Sequence, residues 1–376
     1  MMIRTYVYRL YPSKPQERLM FRTLEICCLF YNSLLEERRD AWQDGRRSVG
    51  KYEQMRRVKT LKAGNPYAKR VHSHVLQVAV SDLDKAFQAF FRRVKAGKTP
   101  GYPRFKGRDR FKSFGFKEYR NGFKIDGRRL RLFGIGRVAV RWHRRIEGKI
   151  KTLRIKHKAG KWYACFACEV EPDPLPETNR AIGIDVGIHH LLATSDGQIY
   201  ENPHWYREGQ ARLRRIQRKV SRRKKGSSRR RKAVLELQRA HEHISSQRID
   251  YIRKAVLALV RDYDTIVIED LRIKNMVRNH CLSKSILDAS WGYFRQHLMD
   301  KAAEAGREVV KVNPAYTSKT CSNCGAVFMN LKLSDRTIKC SCGLYLDRDV
   351  NAAINILHRA GYARQALTWS NGSCVA

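Results

Sequence analysis

Apolar and polar positions alternate over residues 3–11, the period of a half-buried strand, and Pro12 ends the run. Ser13 with Gln16 three residues on is a capping-box signature, and Pro15 suits a first helical turn. A helix is predicted from there to about Asp40, with Leu19, Met20, Leu24, Cys27, Tyr31, Leu34 and Leu35 on one side. Glycines 45 and 50 break it; a shorter helix surrounds residues 52–61, and Gly64-Asn65-Pro66 ends that. From Ser73 to about Lys95, Val75, Leu76, Ala79, Leu83, Ala86, Phe87 and Phe90 recur at helical spacing. This first part reads as a helical lobe following a single strand.

After Gly97 the pattern shortens. Strands are predicted near residues 122–125, 130–133, 137–140, 151–157 and 162–170, punctuated by Gly127, Gly134, Gly148 and Gly160, as in a small antiparallel β-barrel or sheet. Residues 172–176 (PDPLP) form a linker. Residues 181–184 are a buried strand with Asp185 at its end; Gly187 turns the chain, and residues 190–194 return as a second strand. Residues 203–261 are helical by pattern, with a turn near Gly226. Residues 265–268 are another apolar strand, ending in Glu269-Asp270, followed by one helix over 286–305 and a strand over 309–312. A last helix covers 350–357, and beyond about Gly361 no pattern is clear. The whole is an α+β multidomain chain.

Charge narrows the partners. The 376 residues carry 77 Lys+Arg against 35 Asp+Glu, a net charge of +42, and such self-repulsion calls for a polyanion. Nucleic acid fits. A membrane role is not expected, because no run of eighteen apolar residues exists and the start reads as a strand, not as a signal peptide. Residues 98–116 interleave Lys and Arg with aromatics, so Arg104 and Lys106 are candidate phosphate contacts beside stacking rings. The predicted helical hairpin hardly mixes charge signs: Arg214, Arg215, Arg218, Lys219, Arg222, Arg223 and Lys224 precede the turn, and Arg229 and Arg230 follow it. It reads as a nucleic-acid brace. Ten cysteines in a long basic chain point to reduced thiols and one metal site in a cytosolic protein.

Residues 313–357 carry the chemistry. Cys321-Ser-Asn-Cys324-Gly and Cys340-Ser-Cys342-Gly offer four thiolates in two close pairs, the donor set of one structural Zn²⁺, although the second pair is tighter than C-x₂-C. Cys165 and Cys168 share C-x₂-C spacing but fall in a predicted strand and read as core. Asp185 and Glu269 end apolar strands, and Asp349 starts a helix. Parallel neighbouring strands would bring the first two together and the following helix would deliver the third. Three clustered carboxylates need cations. Two Mg²⁺ ions about 4 Å apart would neutralise them and clamp both oxygens of a phosphodiester, an RNase H-type arrangement. His189 and His190 follow the Asp185 turn without an assigned role, and Arg336 is a candidate for holding the scissile phosphate.

GIDVG at 183–187, IVIEDL at 266–271, TSKTCSNCG at 317–325 and DRDVNAAINI at 347–356 resemble the three split RuvC motifs and zinc ribbon of the TnpB family, insertion-sequence-encoded proteins similar to type V CRISPR nucleases. The opening IRTYVYRLYPSKPQ and PRFKG at 103–107 are similar too, so the resemblance covers nearly the whole chain. It implies an RNA-guided DNA endonuclease of a transposable element. Such a protein binds a guide RNA derived from the transposon end, recognises a short target-adjacent motif and cuts double-stranded DNA. By motif position Asp185, Glu269 and Asp349 would be the catalytic, Mg²⁺-binding triad, with Asp347 outside it. The resemblance implies a wedge-type β-barrel (1–12 and 98–176) interrupted by a helical recognition lobe (13–97). It further implies an RNase H-like RuvC domain (177–316, hairpin 203–261), a zinc ribbon (317–345), the last RuvC motif and helix (346–361) and a tail (362–376). It implies a monomer within a ribonucleoprotein, in a prokaryotic cytoplasm. A guide-free transposase and a cleavage-deficient guide-directed DNA binder are the alternatives.

Overall fold

The alternating segment at the start becomes β1 (Met2–Tyr11), which lies in the middle of a seven-stranded sheet. The structure, a computed structural model, describes residues 1–332 and 334–363; the predicted tail, from residue 364 on, lies outside them. The chain divides into two compact units, Met1–Glu171 and Pro172–Ala376, so the expected linker begins at the border.

In the first unit Ser13 and Gln16 do form a reciprocal capping box, with Pro15 in the first turn, and α1 (Lys14–Gly45) follows. It runs five residues past the expected end, to Arg46 in the left-handed region. Next come α2 (Lys51–Gly64), the single turn α3 (Pro66–Lys69) and α4 (Ser73–Lys95). The strands are β2 (Ser113–Phe116), β3 (Phe123–Asp126), β4 (Arg129–Leu132), β5 (Gly136–Arg141), β6 (Lys149–Lys158) and β7 (Lys161–Val170). Their order is β2-β6-β7-β1-β5-β4-β3, all antiparallel. No pairing joins β2 to β3 among the described residues, so the expected barrel appears as a sheet with two edges.

Helices and sheet share one core: Tyr6, Tyr8, Phe166 and Trp162 of the sheet join Met20, Tyr31 and Leu34 of α1 and Leu76 and Leu83 of α4. Each fully buried large side chain contributes about 1.5–3 kcal/mol. β2 was not expected as a strand, because its residues sit in the basic–aromatic stretch. Phe111, Phe114 and Phe116 of that stretch are buried, so these rings are core and not stacking platforms. Cys168 is buried and Cys165 half-buried within β7, as the strand reading required.

The second unit holds β8 (Ala181–Val186), β9 (His190–Thr194), β10 (Ile199–Glu201), α5 (Trp205–Ser221), α6 (Ser228–Asp262) and β11 (Thr265–Glu269). α7 (Ile273–Met276), α8 (His280–Ala289), α9 (Trp291–Glu304) and β12 (Glu308–Val312) follow, then β13 (Thr337–Lys339), β14 (Tyr345–Asp347) and α10 (Arg348–Arg359). The five-stranded sheet has the order β10-β9-β8-β11-β12: an antiparallel meander joined to three parallel strands. The single helix expected over 286–305 is two helices, because Ser290 takes a left-handed φ of 56° and turns the chain between them. No helix among the described residues is long and apolar enough to cross a membrane.

Candidate metal centres and nucleic-acid surface

The register of β8 and β11 does what the sequence anticipated. Ile184 pairs with Ile268, so Asp185 and Glu269 follow side by side at the same end of two parallel strands. Asp349 arrives on the first turn of α10, which packs against β8. Its carboxylate lies over the turn after Asp185: a β-carbon on Gly187 would stand 3.5 Å from Asp349 Oδ2.

The electrostatics agree with this convergence. Burial pushes Asp185 well above the ordinary carboxylate range, and the charges of Glu269 and Asp349 push it further. Glu269 is also raised by burial, partly offset by the Thr317 hydroxyl, which donates to Glu269 Oε1 at 2.6 Å. Burial and then Asp347 raise Asp349, against His190, Arg336 and Arg348, which lower it. Buried acidic groups whose charges reach one another fit a hard divalent cation, which takes oxygen ligands and supplies the missing positive charge.

Asp347 has a separate task. As N-cap of α10 it accepts from the backbone N–H of Asp349 at 2.8 Å and of Val350 at 3.2 Å. Among the described residues, the group besides the cysteines whose ligand atoms all lie within 4.8 Å of one another is His190, Asp347 and Asp349; Asp185 and Glu269 are not part of it. Of the two histidines left unassigned, His189 is exposed and His190 turns inward, its ring 3.5 Å from Glu201 and 4.0 Å from Asp347. The short side of the Asp-Arg-Asp turn is filled by Arg348, buried, which donates to the carbonyl of Lys332 at 2.8 Å.

The four predicted thiols converge, with all sulfurs within 4.8 Å of one another. Cys321 and Cys342 are 3.6 Å apart and Cys324 and Cys340 3.5 Å. A zinc–sulfur bond of about 2.3 Å gives a tetrahedral edge of about 3.8 Å, so the set fits one Zn²⁺ and is too long for disulfides. Each knuckle turns on a glycine after its second cysteine, Gly325 (φ 78°) and Gly343 (φ 87°), and in the tight second pair Gly343 donates to the Cys340 carbonyl at 3.0 Å. The Asn323 amide and the Leu344 backbone lower the Cys342 thiol to about 6, while hydrogen bonds with the other three thiols raise Cys324 to about 12, so the first thiolate of the set forms on Cys342.

The basic hairpin forms as α5 and α6, with Gly226 in the turn at φ 82°. Leu213, Ile216 and Val220 of α5 are buried, and Arg214, Arg215, Arg218, Arg222, Arg223, Lys224 and Arg229 are exposed. Arg230 is half-buried, and Lys219 is engaged with Glu236 at 2.6 Å. In the first unit Arg104 is exposed. Lys106 is not the open phosphate contact expected of it. Its ammonium lies over the Tyr31 ring at 4.0 Å and the Phe111 ring at 5.3 Å, and burial lowers its pKa.

Sequence reasoning missed Thr317, Asn351 and Asn355. All three are buried polar groups that tie the cysteine segment to α10. Two asparagines four residues apart in an otherwise apolar run were the available signal.

Comparison with known proteins gives three family matches. Residues 165–280 match a family described as "Probable transposase", residues 291–356 the "Cas12f1-like, TNB domain", and residues 1–47 a "Helix-turn-helix domain". In the last span the structure has a strand and one long helix. A Streptomyces pristinaespiralis protein named "Putative RNA-guided DNA endonuclease" is 38% identical over 371 residues, 96% of this chain and 90% of that protein. Escherichia coli K12 has a "Putative RNA-guided DNA endonuclease InsQ", 31% identical over 96% of this chain and 93% of its own length. Among solved structures, the Cas12f1 chain of a Cas12f1–sgRNA–target DNA complex shares the fold, with a TM-score of 0.60 at 14% identity, covering 94% of this chain and 98% of that one.

Proposed function

The chain belongs to the TnpB (OrfB) family of RNA-guided DNA endonucleases, and on that premise we propose that Asp185, Glu269 and Asp349 are the centre at which it cuts DNA. The protein binds a guide RNA and cleaves the DNA that the guide selects; base pairing reads the sequence while protein side chains grip the backbone. The observation that carries the site is the parallel register of Ile184 with Ile268, which aligns Asp185 and Glu269. The meander joined to three parallel strands supports an RNase H-like RuvC domain over 177–316 with its last motif at 346–361.

The three carboxylates would hold Mg²⁺, which supplies a lowered water pKa and neutralises charge on the leaving oxygen. The protein's own part is geometric. β8 and β11 bring the backbones of Asp185 and Glu269 side by side on a rigid sheet, and the Asp347 cap fixes the start of the helix that bears the third carboxylate. Cys321, Cys324, Cys340 and Cys342 would hold a structural Zn²⁺ in the ribbon at 317–345. The first unit would supply the wedge strands (1–12, 98–176) and the recognition lobe (13–97). The basic α5–α6 hairpin would brace the nucleic acid. The working form is a monomer in a ribonucleoprotein, in a prokaryotic cytoplasm.

The test is D185N and E269Q, assayed on double-stranded DNA with the RNA that co-purifies from cells carrying the native flanking DNA. Both variants are expected to lose Mg²⁺-dependent cleavage and keep the RNA. Unchanged cutting would remove the site from these residues. Cutting or joining at fixed element ends without RNA would make the protein a guide-free transposase.

A further inference from the structure

Glu269 is held by a side chain that the three-carboxylate reading leaves out. Thr317, 4% exposed, follows β12 and opens a one-turn 3₁₀ helix just before Cys321. Its hydroxyl has a single hydrogen, shared between Glu269 Oε1 at 2.6 Å and the Pro314 carbonyl at 3.2 Å. The same residue is tied to α10. Asn355 donates to the Thr317 carbonyl at 2.8 Å and to the Thr320 carbonyl at 2.6 Å. One turn nearer the helix start, Asn351 donates to Thr320 at 2.8 Å and accepts from the Ser322 backbone at 2.9 Å. One connected path therefore runs from Asp349, along its helix, through Asn355 and Thr317, to Glu269.

We propose that Thr317 is a positioning residue that locks the Glu269 carboxylate against the helix bearing Asp349, so that the two present their free oxygens to one cation. The inference rests on the three-carboxylate reading above. Glu269 has rotatable bonds that the sheet alone does not fix, and a buried hydroxyl occupying one lone pair of Oε1 selects one orientation. It leaves Oε2 and the outer lone pair of Oε1 open. A partner of this kind behind a metal ligand typically changes metal affinity or activity by about 10–100-fold.

The test compares T317V and T317A, which lack the hydroxyl, with T317S, which keeps it. Mg²⁺ binding is measured by isothermal titration of the RNA-loaded protein, and cleavage is measured as a function of Mg²⁺. T317V and T317A should weaken Mg²⁺ binding about 10–100-fold and raise the Mg²⁺ needed for half-maximal cutting, with zinc content and RNA affinity unchanged. T317S should stay within about threefold of the native protein. Native Mg²⁺ binding in both hydroxyl-free variants, or damage in T317S equal to theirs, overturns the proposal. E269Q separates the two readings: if it cuts normally, the carboxylate site itself is wrong.

A second observation stands apart from this site. The first unit has a cavity of about 550 Å³ between α1, the segment before β2 and the end of β6. Phe21, 43% exposed, stands at it with its ring edge-to-face on His157 and Trp162, both centroids at 5.1 Å. Phe111 is buried in its wall; the exposed cations Arg18, Arg22 and Lys112 line it, together with Asp109 and the Arg108–Glu25 ion pair. Burial and then Lys112 lower the His157 pKa. A half-exposed aromatic ring in a cavity lined by four cations against two carboxylates, with room for one base, suits an unpaired nucleotide. A DNA duplex has no free base to offer without flipping one out, whereas the loops and bulges of a folded RNA do.

The geometry points to this cavity as a slot for one unstacked guide-RNA nucleotide, its base on Phe21 and its phosphate on Arg18 and Lys112. F21A should bind the co-purifying RNA about 10–100-fold more weakly, and F21W should restore it. Ultraviolet cross-linking should join RNA to the peptide containing Phe21. Native RNA affinity in F21A, or cross-links from that peptide to DNA alone, overturns it. A native protein that holds no RNA overturns both this slot and the guide-directed function.

Discussion

Gly183 and Ala353 meet through their backbones: a β-carbon on Gly183 would lie 2.1 Å from the Ala353 carbonyl oxygen and 2.8 Å from the Leu357 nitrogen. The obstacle is helix backbone, not a flexible side chain, so it cannot step aside. This contact sets how deeply α10 lies on β8, and therefore where Asp349 sits relative to Asp185. G183A should move the helix, cost about 1–3 kcal/mol and lower the melting temperature by several degrees. Cleavage should fall by more than tenfold, because Asp349 is displaced with the helix relative to Asp185. Native melting and cutting in G183A would show that α10 has slack at this crossing.

The raised carboxylates make a prediction about pH. Asp185 titrates above its unfolded value, so between the ordinary carboxylate range and that raised value the folded state holds more protons than the unfolded one. Stability of the metal-free protein from this group is therefore lost as pH rises through that window. Mg²⁺ bound to the ionised form would reverse the loss. Its stabilising effect on the melting temperature should be larger at pH 7.5 than at pH 5. D185N, which removes one of three repelling charges, should melt higher than the native protein without Mg²⁺ at pH 7.5 and should respond little to the ion. A D185N protein that melts lower would mean that Asp185 is favourably paired.

Metal analysis should find one zinc per chain. C342S removes the sulfur whose pKa is already held at about 6, and should abolish zinc binding. Because Asn351 and Asn355 grip the segment that carries the first knuckle, zinc loss should also lower the Mg²⁺ affinity of the distant carboxylates. Full zinc in C342S would show that three thiolates suffice or that the ribbon holds its metal otherwise.

The hairpin makes an electrostatic prediction. Arg214, Arg215 and Arg218 are exposed on α5, away from its buried Leu213, Ile216 and Val220. Replacing the three by Ala should leave the melting temperature nearly unchanged. It should weaken RNA binding and reduce the slope of log affinity against log salt by about 2–3. An unchanged slope would mean that these arginines face solvent in the complex.

Much of this was readable in advance because local signals and tertiary packing agree. The capping box at Ser13 and Gln16 starts α1 where it should, and the apolar runs 181–184 and 265–268 are two-sided buried strands. The cysteine spacing led to a real cluster of sulfurs. What was hidden depends on partners distant in sequence. Nothing local marks Thr317 as the partner of Glu269, since the bond spans 48 residues. Lys106 looked like its basic neighbours, and only the fold places Tyr31 under it. The break at Ser290 needs a left-handed residue within a periodic apolar run, and serine carries no glycine-like warning. The β2 strand was obscured because its rings serve the core while the residues around it are basic.

The central place of β1 has a consequence for synthesis. Both of its neighbours come late: Met2 pairs with Val170, and Tyr11 pairs with Ala139. At roughly 5–20 residues per second, the ribosome takes on the order of ten to thirty seconds to deliver β7 after β1 has emerged. Until β5 emerges, a strand with one apolar face has no partner of its own, while α1 can already coil. β1 is therefore flanked in two late steps, by β5 and then by β7, and slow codons ahead of residue 136 would lengthen the interval in which it has no neighbour.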